Sequence, residues 1–428
     1  MTMPLGLLFS KKPTFHRFCV SLCLLLSLVL APTIRAQHGE SLQGLTEPVV
    51  VARALERAPL LDAIEGDVEL EAARARSARA YPNPQITYVR EQTFGALGTG
   101  EDYLTLAQTI DLGNRRGLQG QAGEARARAA ERDGEAWQLS VASEARLRFY
   151  EVLYRQARVA VLESWQGHIA RALTIVARRE QGGDAAPYDR RRLERERAVA
   201  TGQLETERAA LERACARLEA LLATGTSDLR VAGELLPQGD PQALPELRVA
   251  IASRPDLLAI ELRIDAAALD QRAASRWWAP DLRLEAGWKG VDLGPQGRTD
   301  GFLLGASLSI PLWDRSSGAS RIAAAQAQAA RGRRALLESE LQGELEGARA
   351  EAVRLRRAAE EFRDQTTAAS SDLVRIASAG YEGGELGLLE LLDAYRGTAD
   401  DLLSALDMEL AARRASIDID RLTGAALP

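Results

Sequence analysis

The sequence predicts a mostly α-helical protein carrying a membrane β-barrel. Three observations carry that prediction: the chain is duplicated, each copy holds a long stretch free of helix breakers, and four short stretches alternate with period two. The copies span residues 46–224 and 246–424. Pro59, Leu61, Ile64 and Pro84 stand 196 residues before Pro255, Leu257, Ile260 and Pro280. Farther on, Ile110, Leu112 and Arg115 stand 200 before Ile310, Leu312 and Arg315, and Gly182-Gly183-Asp184 stands 201 before Gly383-Gly384-Glu385. Such a period is too long for an ordinary solenoid unit and implies two pseudo-symmetric halves.

The organisation that follows is a signal segment at 1–36, a first repeat at 37–224, a linker at 225–245 and a second repeat at 246–428. In the first segment, Lys11, Lys12 and Arg17 precede an apolar run from Phe18 to Leu30 and then Ile34-Arg35-Ala36, the layout of a secretory signal with mature protein from near Gln37. That run is shorter than a bilayer-spanning helix, and no other segment is long and apolar enough to be one. Leu22 before Cys23 does not suit a lipoprotein site, so no lipid anchor is expected.

Helices fill most of each repeat. From about Gly113 to Gln181 and from about Arg315 to Gly380 little interrupts a helix, and each stretch could run about 100 Å at 1.5 Å per residue. In the second, positions 341, 345, 348, 352, 355, 359, 362, 366, 369, 373 and 376 form a 4-3 seam from Leu341 to Ile376. The positions 200 earlier, Val141 to Val176, keep the register with Arg148, Arg155 and Gln166 intruding. An exposed helical hairpin and a closed helical assembly both fit this pattern, and the many seam alanines favour close approach of helices. Glycine pairs end both stretches. Asp184 and Glu385 follow them, near the positive end of a returning helix that runs to about Ala223 or Leu422. Repeated glycines and prolines between Thr224 and Pro245 mark the linker.

Strands are expected at about 85–91, 102–110, 281–289 and 302–310. Leu282, Leu284, Ala286 and Trp288 alternate with Arg283, Glu285, Gly287 and Lys289, and Phe302, Leu304, Ala306, Leu308 and Ile310 alternate with smaller or polar residues. Leu104, Leu106 and Ile110 share one face of the strand before them. One apolar and one polar face suits a barrel strand between lipid and water, and equally a sheet lying on helices. Four strands among such helices have little core to lie on, and they are too few to close a barrel, so in a membrane the sheet must pair with copies of itself. Tyr81, Trp277, Trp278 and Trp313 at the strand margins are placed as an interfacial aromatic belt would be.

Composition narrows the function. The formal charge is −6, and loss of residues 1–36 removes four basic and no acidic residues, giving −10, which argues against nucleic acid as a partner. Past that segment only Cys215, His38 and His168 remain of the cysteines and histidines, so neither a disulfide framework nor a zinc site is expected. The sequence offers no metal cluster, phosphate loop or activated nucleophile; no cofactor is expected, and the chain is not read as an enzyme.

Several motifs together resemble the outer membrane efflux protein family, the TolC-like exit ducts of tripartite exporters. They are Arg254-Pro255-Asp256-Leu257, Tyr81-Pro82-Asn83-Pro84, Ser309-Ile310-Pro311-Leu312, and Gly380-Tyr381-Glu382-Gly383-Gly384-Glu385 leading to Leu391-Leu392-Asp393-Ala394. The similarity spans nearly the whole chain beyond the signal. It implies a homotrimer in the outer membrane, with four strands per chain in one twelve-stranded barrel and the helices in a long periplasmic α-barrel. It also implies two partners, a periplasmic adaptor and an inner-membrane pump, besides outer-membrane lipid. Gln108-Thr109-Ile110-Asp111-Leu112-Gly113, Gly183-Asp184-Ala185-Ala186-Pro187-Tyr188-Asp189 and Pro311-Leu312-Trp313-Asp314-Arg315 are most similar to the branch that serves heavy-metal pumps of the resistance-nodulation-division type.

The same resemblance points to site residues. Glu390 and Asp393, three apart on one helix face, match the family's paired acidic residues at the channel constriction, where three copies would favour cations. A solvated acidic face is the plainer reading of the pair. Tyr381 matches a tip tyrosine that helps hold the closed state, while Leu386 stands where an arginine is usual. Gly182, Gly183, Gly383 and Gly384 are the expected adaptor-docking tips. Two other readings remain open: a periplasmic coiled-coil scaffold or adaptor, and the duct of a type I protein-secretion system.

Overall fold

The computed structural model describes residues 44–95, 98–223 and 229–425. The expected signal segment and residues 224–228 of the expected linker lie outside the described residues. One order of elements occurs twice. First come α1 (Glu47–Leu55), α2 (Ala58–Arg79), β1 (Gln85–Gln92), β2 (Gly100–Asp111), α3 (Arg115–Gly182) and α4 (Pro187–Leu222). Then follow α5 (Leu244–Ala252), α6 (Pro255–Ser275), β3 (Asp281–Asp292), β4 (Arg298–Leu308), α7 (Ser317–Gly383) and α8 (Leu388–Thr423). Among the described residues no helix is long and apolar enough to cross a membrane.

Several boundaries differ from the sequence expectation. α5 begins at Leu244, inside the segment read as linker, because Pro245 occupies the first helical turn, where a missing N–H costs nothing; Pro48 does the same in α1. β4 ends at Leu308, so Ile310 lies beyond the ladder, ahead of Pro311, which cannot donate to it. β2 and β3 are longer than expected because the pairing continues through their charged ends, Gly100 opposite Asp292 and Asp111 opposite Asp281.

The four strands form one antiparallel sheet in the order β1-β2-β3-β4, which leaves the outer edges of β1 and β4 without a strand neighbour among the described residues. Register places Tyr88, Leu104, Trp288 and Phe302 in one row across all four strands, and Ile86, Leu106, Ala286 and Leu304 in the next. All of these but Ala286 are large and exposed. The opposite face carries Val89, Tyr103, Lys289 and Gly301 in one row and Gln85, Ala107, Glu285 and Gly305 in another. Alternation in the sequence thus becomes an apolar face and a polar, small-residue face. At the helical margin Tyr81, Trp278 and Trp313 are exposed, while Arg315 lies 5.7 Å over the ring of Trp277.

Two tight joints feed the long helices. Asn114 and Ser316, the N-caps of α3 and α7, are left-handed with φ of 51° and 53°. Asp111 accepts from the backbone N–H of Gly113 at 3.0 Å and of Arg116 at 2.8 Å, and Asp314 accepts from that of Ser316 at 2.8 Å. A carboxylate two or three residues ahead of each cap therefore binds otherwise unpaired amides at the positive end of the helix.

α3 pairs with α4 and α7 with α8 as antiparallel hairpins, while α2 lies on α3 and α6 lies between α3 and α7. α6 buries five residues, Leu257, Ala259, Ala266, Ala267 and Ala273, whereas its counterpart α2 buries only Leu60 and Ala75 because α7 does not pack on it as α3 packs on α6. Near the middle of the hairpins, Arg413 donates to the carbonyls of Leu235 at 2.8 Å, Glu234 at 2.9 Å and Leu236 at 2.8 Å, and its guanidinium sits 4.3 Å over the Tyr150 ring. Arg146 bridges Glu47 and Asp420, the latter at 2.8 Å, tying α1 and α8 to α3. Burial pushes the Asp420 carboxyl up, against the pull of Arg146. Arg413→Leu leaves three linker carbonyls without their donor; the expected cost is about 1–3 kcal/mol, read as a lower thermal midpoint and faster proteolysis within residues 229–243.

Candidate functional site at the hairpin tips

The tips are built by one motif used twice. α3 ends at Gly182, and Gly183 turns left-handed with φ of 84°; α7 ends at Gly383, and Gly384 does so with φ of 78°. In the first, the N–H of Gly183 donates to Glu180 O at 3.1 Å and that of Asp184 to Arg179 O at 2.8 Å. In the second, Gly384 donates to Tyr381 O at 3.2 Å and Glu385 to Gly380 O at 2.9 Å. This is the paired capping pattern that glycine allows at a helix C-terminus. Only the second glycine of each pair needs the left-handed region. A Cβ on Gly383 would meet nothing nearer than Glu385 Cγ at 3.9 Å, and one on Gly182 nothing nearer than Asp184 Oδ2 at 3.4 Å.

Beneath the turns all four long helices share one apolar core. Trp165, Ile169 and Val176 of α3, Leu193 and Leu204 of α4, Ala377 and Tyr381 of α7, and Leu391 and Tyr395 of α8 belong to it. Tyr381 is only 5% exposed, and burial pushes its phenol above the ordinary value. Arg179, in the last turn of α3, lies 4.9 Å over the Tyr381 ring and donates at 2.9 Å to the carbonyls of both Tyr381 and Glu382. Those carbonyls are at the negative end of α7, so a cation there satisfies both the hydrogen bonds and the helix dipole. On the same core His168 packs 5.0 Å from Tyr395, and burial holds its imidazole below the usual range.

Glu390 and Asp393 are both exposed, on the first two turns of α8. The Glu390 carboxylate folds back over Gly387, its Oε2 being 2.7 Å from where a Cβ would stand. At the matching place in the first copy α4 carries Asp189 in its first turn and then Arg192, so the acidic pair belongs to the second copy alone. Nothing brings Tyr381 and the two carboxylates into one cluster within a chain: the tyrosine is in the core and the acids face outward. Among the described residues no group of three or more metal-ligating side chains comes together.

The expected seam of α7 holds only in part. Leu341, Leu345, Ala352 and Ala359 are buried, but Leu373 and Ile376 are each 55% exposed, and the buried stripe passes instead through Ser370, Ala377 and Tyr381. Their counterparts in α3, in the register of the tip turns, are Ala172, which is buried, and Ile175, which is partly buried. The difference is one of neighbours. α3 is covered by both α4 and α8, while α7 has α8 on one side and no counterpart of the α3–α8 contact on the other. Sequence reading missed Arg179, although an arginine one turn before a glycine pair is placed to cap a helix end. It also missed the Arg396–Glu196 ion pair, 2.6 Å, which joins α8 to α4.

Comparison with known proteins bears directly on these features. Residues 247–425 match the model of the outer membrane efflux protein family. The cobalt-zinc-cadmium resistance protein CzcC of Cupriavidus metallidurans is 26% identical over 383 residues, covering 85% of this chain and 84% of the relative. Over its second repeat the chain matches the outer membrane efflux protein family. It is therefore a protein of the bacterial outer membrane that extends into the periplasm, and not an enzyme. The nickel and cobalt resistance protein CnrC of the same organism is 25% identical over 299 residues, 66% of this chain and 68% of that one. Among solved structures, CusC superposes with a TM-score of 0.70 at 17% identity over 88% of this chain and 91% of its own. The open-state MtrE channel of Neisseria gonorrhoeae gives 0.70 at 19% identity, covering 89% of each chain.

Substitution separates the roles of the two glycines in each turn. Gly183→Ala and Gly384→Ala force a side chain into the left-handed region and are expected to cost about 1 kcal/mol each, while Gly182→Ala and Gly383→Ala leave the thermal midpoint nearly unchanged. Thermal denaturation followed by circular dichroism checks this ordering.

Proposed function

We propose that several copies of this chain, three by family resemblance, close into one continuous duct that conducts substrate passively from an inner-membrane pump and a periplasmic adaptor to the cell exterior. The observation that carries the reading is a one-sided pseudo-symmetry. Within the chain β2 pairs with β3, α3 packs on α6, and α3 packs on α8. The counterparts of these three contacts are β4 with β1, α7 with α2, and α7 with α4, and none of them is among the principal packing contacts of a single chain. The surfaces they would use are the open edges of the sheet, the exposed Leu61 and Leu70 of α2, and the exposed Leu373 and Ile376 of α7. A neighbouring copy supplies each missing partner at once, and repetition of the step gives a closed ring.

The apolar face of the sheet then meets lipid and its polar face lines the pore. Energy for transport comes from the pump in this reading. The relatives are a cobalt-zinc-cadmium resistance protein and a nickel and cobalt resistance protein, and heavy-metal cations are the cargo we favour here. Glu390 and Asp393, repeated in each copy around the narrow end, supply fixed negative charge where hydrated cations pass. The tip turns at 182–183 and 383–384 are the surfaces on which the adaptor docks, and Tyr381 holds the closed state from the core rather than from the pore.

Two outcomes test this. Purified protein in planar bilayers is expected to conduct with a preference for cations, and Glu390→Gln with Asp393→Asn is expected to shift the reversal potential toward zero; unchanged selectivity would remove the pair from the gate. Gly383→Trp is expected to abolish pump-dependent metal resistance while leaving the amount of assembled protein in the outer membrane unchanged. Loss of the assembly instead would make that glycine merely structural.

A further inference from the structure

Next to the sheet, the long helices of both halves keep one register. Gly123 of α3 lies against α2, where a Cβ would stand 2.6 Å from Ala75, and 200 residues later Ala323 of α7 is buried. Asp133 and Arg333, again 200 apart, line one hollow of about 550 Å3 on the face that α2, α3, α6 and α7 share, and so do Asp67 and Arg263, 196 apart. The offsets of the two repeats therefore hold in the folded helices, and each contact inside the chain has a defined equivalent at the open faces.

Inside the chain α3 meets α6 in two ways. Arg263 pairs with Asp133, and Ala122, Ala125 and Ala266 form a small buried cluster. The equivalent positions at the open faces are Arg333 of α7 with Asp67 of α2, and Ile322 and Ala325 of α7 with Leu70 of α2. The ion pair returns with its charges exchanged. Arg333 and Asp67 are both exposed, and among the described residues neither has an ion-pair partner in the chain. Ile322 is 61% exposed and Leu70 48%. Large side chains stand where the internal seam has alanines, which suits helices that approach less closely.

We propose that Arg333 pairs with Asp67 of the next copy, beside Ile322 laid on that copy's Leu70, and that this contact sorts the seams of the ring. It rests on the multi-chain duct reading and gives that reading the residues of its open seam. Sorting is needed because the halves are pseudo-equivalent: each chain carries α3 and α7 as one kind of face and α2 and α6 as the other. α7 brought to the α6 face of the next copy would set Arg333 against Arg263, and α3 brought to the α2 face would set Asp133 against Asp67. Like charges oppose both wrong seams. The exchange of sign thus supplies specificity, where a pair of partly exposed charges supplies little stability.

Covalent bridging and charge exchange test it. In a Cys215→Ser background, which removes the free cysteine among the described residues, Asp67→Cys with Arg333→Cys is treated in outer membranes with a bis-maleimide about as long as an arginine–aspartate pair. Covalent multimers on a reducing denaturing gel are expected, and none from either substitution alone. Asp133→Cys with Arg263→Cys, the internal equivalent, is expected to give a bridged single chain. If the first pair yields only single chains, bridged or not, while light scattering shows an assembled oligomer, the proposal is overturned and the duct reading stands. Independently, Arg333→Asp and Asp67→Arg are each expected to lower the temperature at which the extracted oligomer dissociates, and the two together to return it toward the native value. A combined variant no more stable than the single ones also overturns the proposal, and this measurement decides the matter should the cysteine pair fail to assemble. A native chain of monomeric mass sinks the duct reading, and this inference with it.

Discussion

The unsatisfied edges of a four-stranded sheet constrain everything else. β1 and β4 each present a row of backbone N–H and C=O groups with no strand partner among the described residues, and in a bilayer, where no water reaches them, each such group costs several kcal/mol. A sheet whose apolar rows face lipid therefore has to be closed by another copy. Closure fixes the rest, because α2 and α6 lead directly into the strands and α3 and α7 leave them through short joints anchored by Asp111 and Asp314. In the proposed ring, the symmetry of closure would be carried into the helices, where the exposed face of α7 would meet the next copy.

The second constraint is that duplicated halves must do unequal work. The helices of the two copies share geometry, down to left-handed caps at Asn114 and Ser316 and left-handed glycines at 183 and 384. Their side chains do not. Leu257 and Ala266 are sealed while Leu61 and Leu70 are open, Ala172 is buried while Leu373 is exposed, and the acidic pair at 390 and 393 corresponds to Asp189 and Arg192 in the other copy. Inside the chain, polar contacts supplement the core: Arg413 on the linker carbonyls, Arg146 between Glu47 and Asp420, and Arg179 on the end of α7. These arginines act at helix ends and irregular backbone, where carbonyls lack partners and a charged donor is worth most.

Much of this architecture was legible in the sequence because it rests on local physics. Period-two alternation around Leu284 and Trp288 gave the strands, breaker-free stretches gave α3 and α7, and glycine pairs gave their ends, with strand limits off by one to a few residues. What escaped was set by neighbours rather than by periodicity. Leu373 and Ile376 satisfy a seam by spacing, yet a single chain has nothing to lay on them. Pro245 reads as a breaker, yet at a first helical turn it is a starter. The tip site divides the same way: Gly183, Gly384 and Tyr381 announce themselves through a short motif, whereas the hold of Arg179 on the end of α7 joins residues some two hundred apart, and no local pattern marks it.

The most direct test of the account is the mass of the native particle extracted gently from separated outer membranes, measured by light scattering with the detergent contribution subtracted. The account expects a discrete oligomer of three chains, with no monomer in the membrane fraction, since a lone chain leaves both sheet edges open to lipid. A stable monomer in the outer membrane, or a water-soluble monomer or dimer in the periplasm, would contradict it.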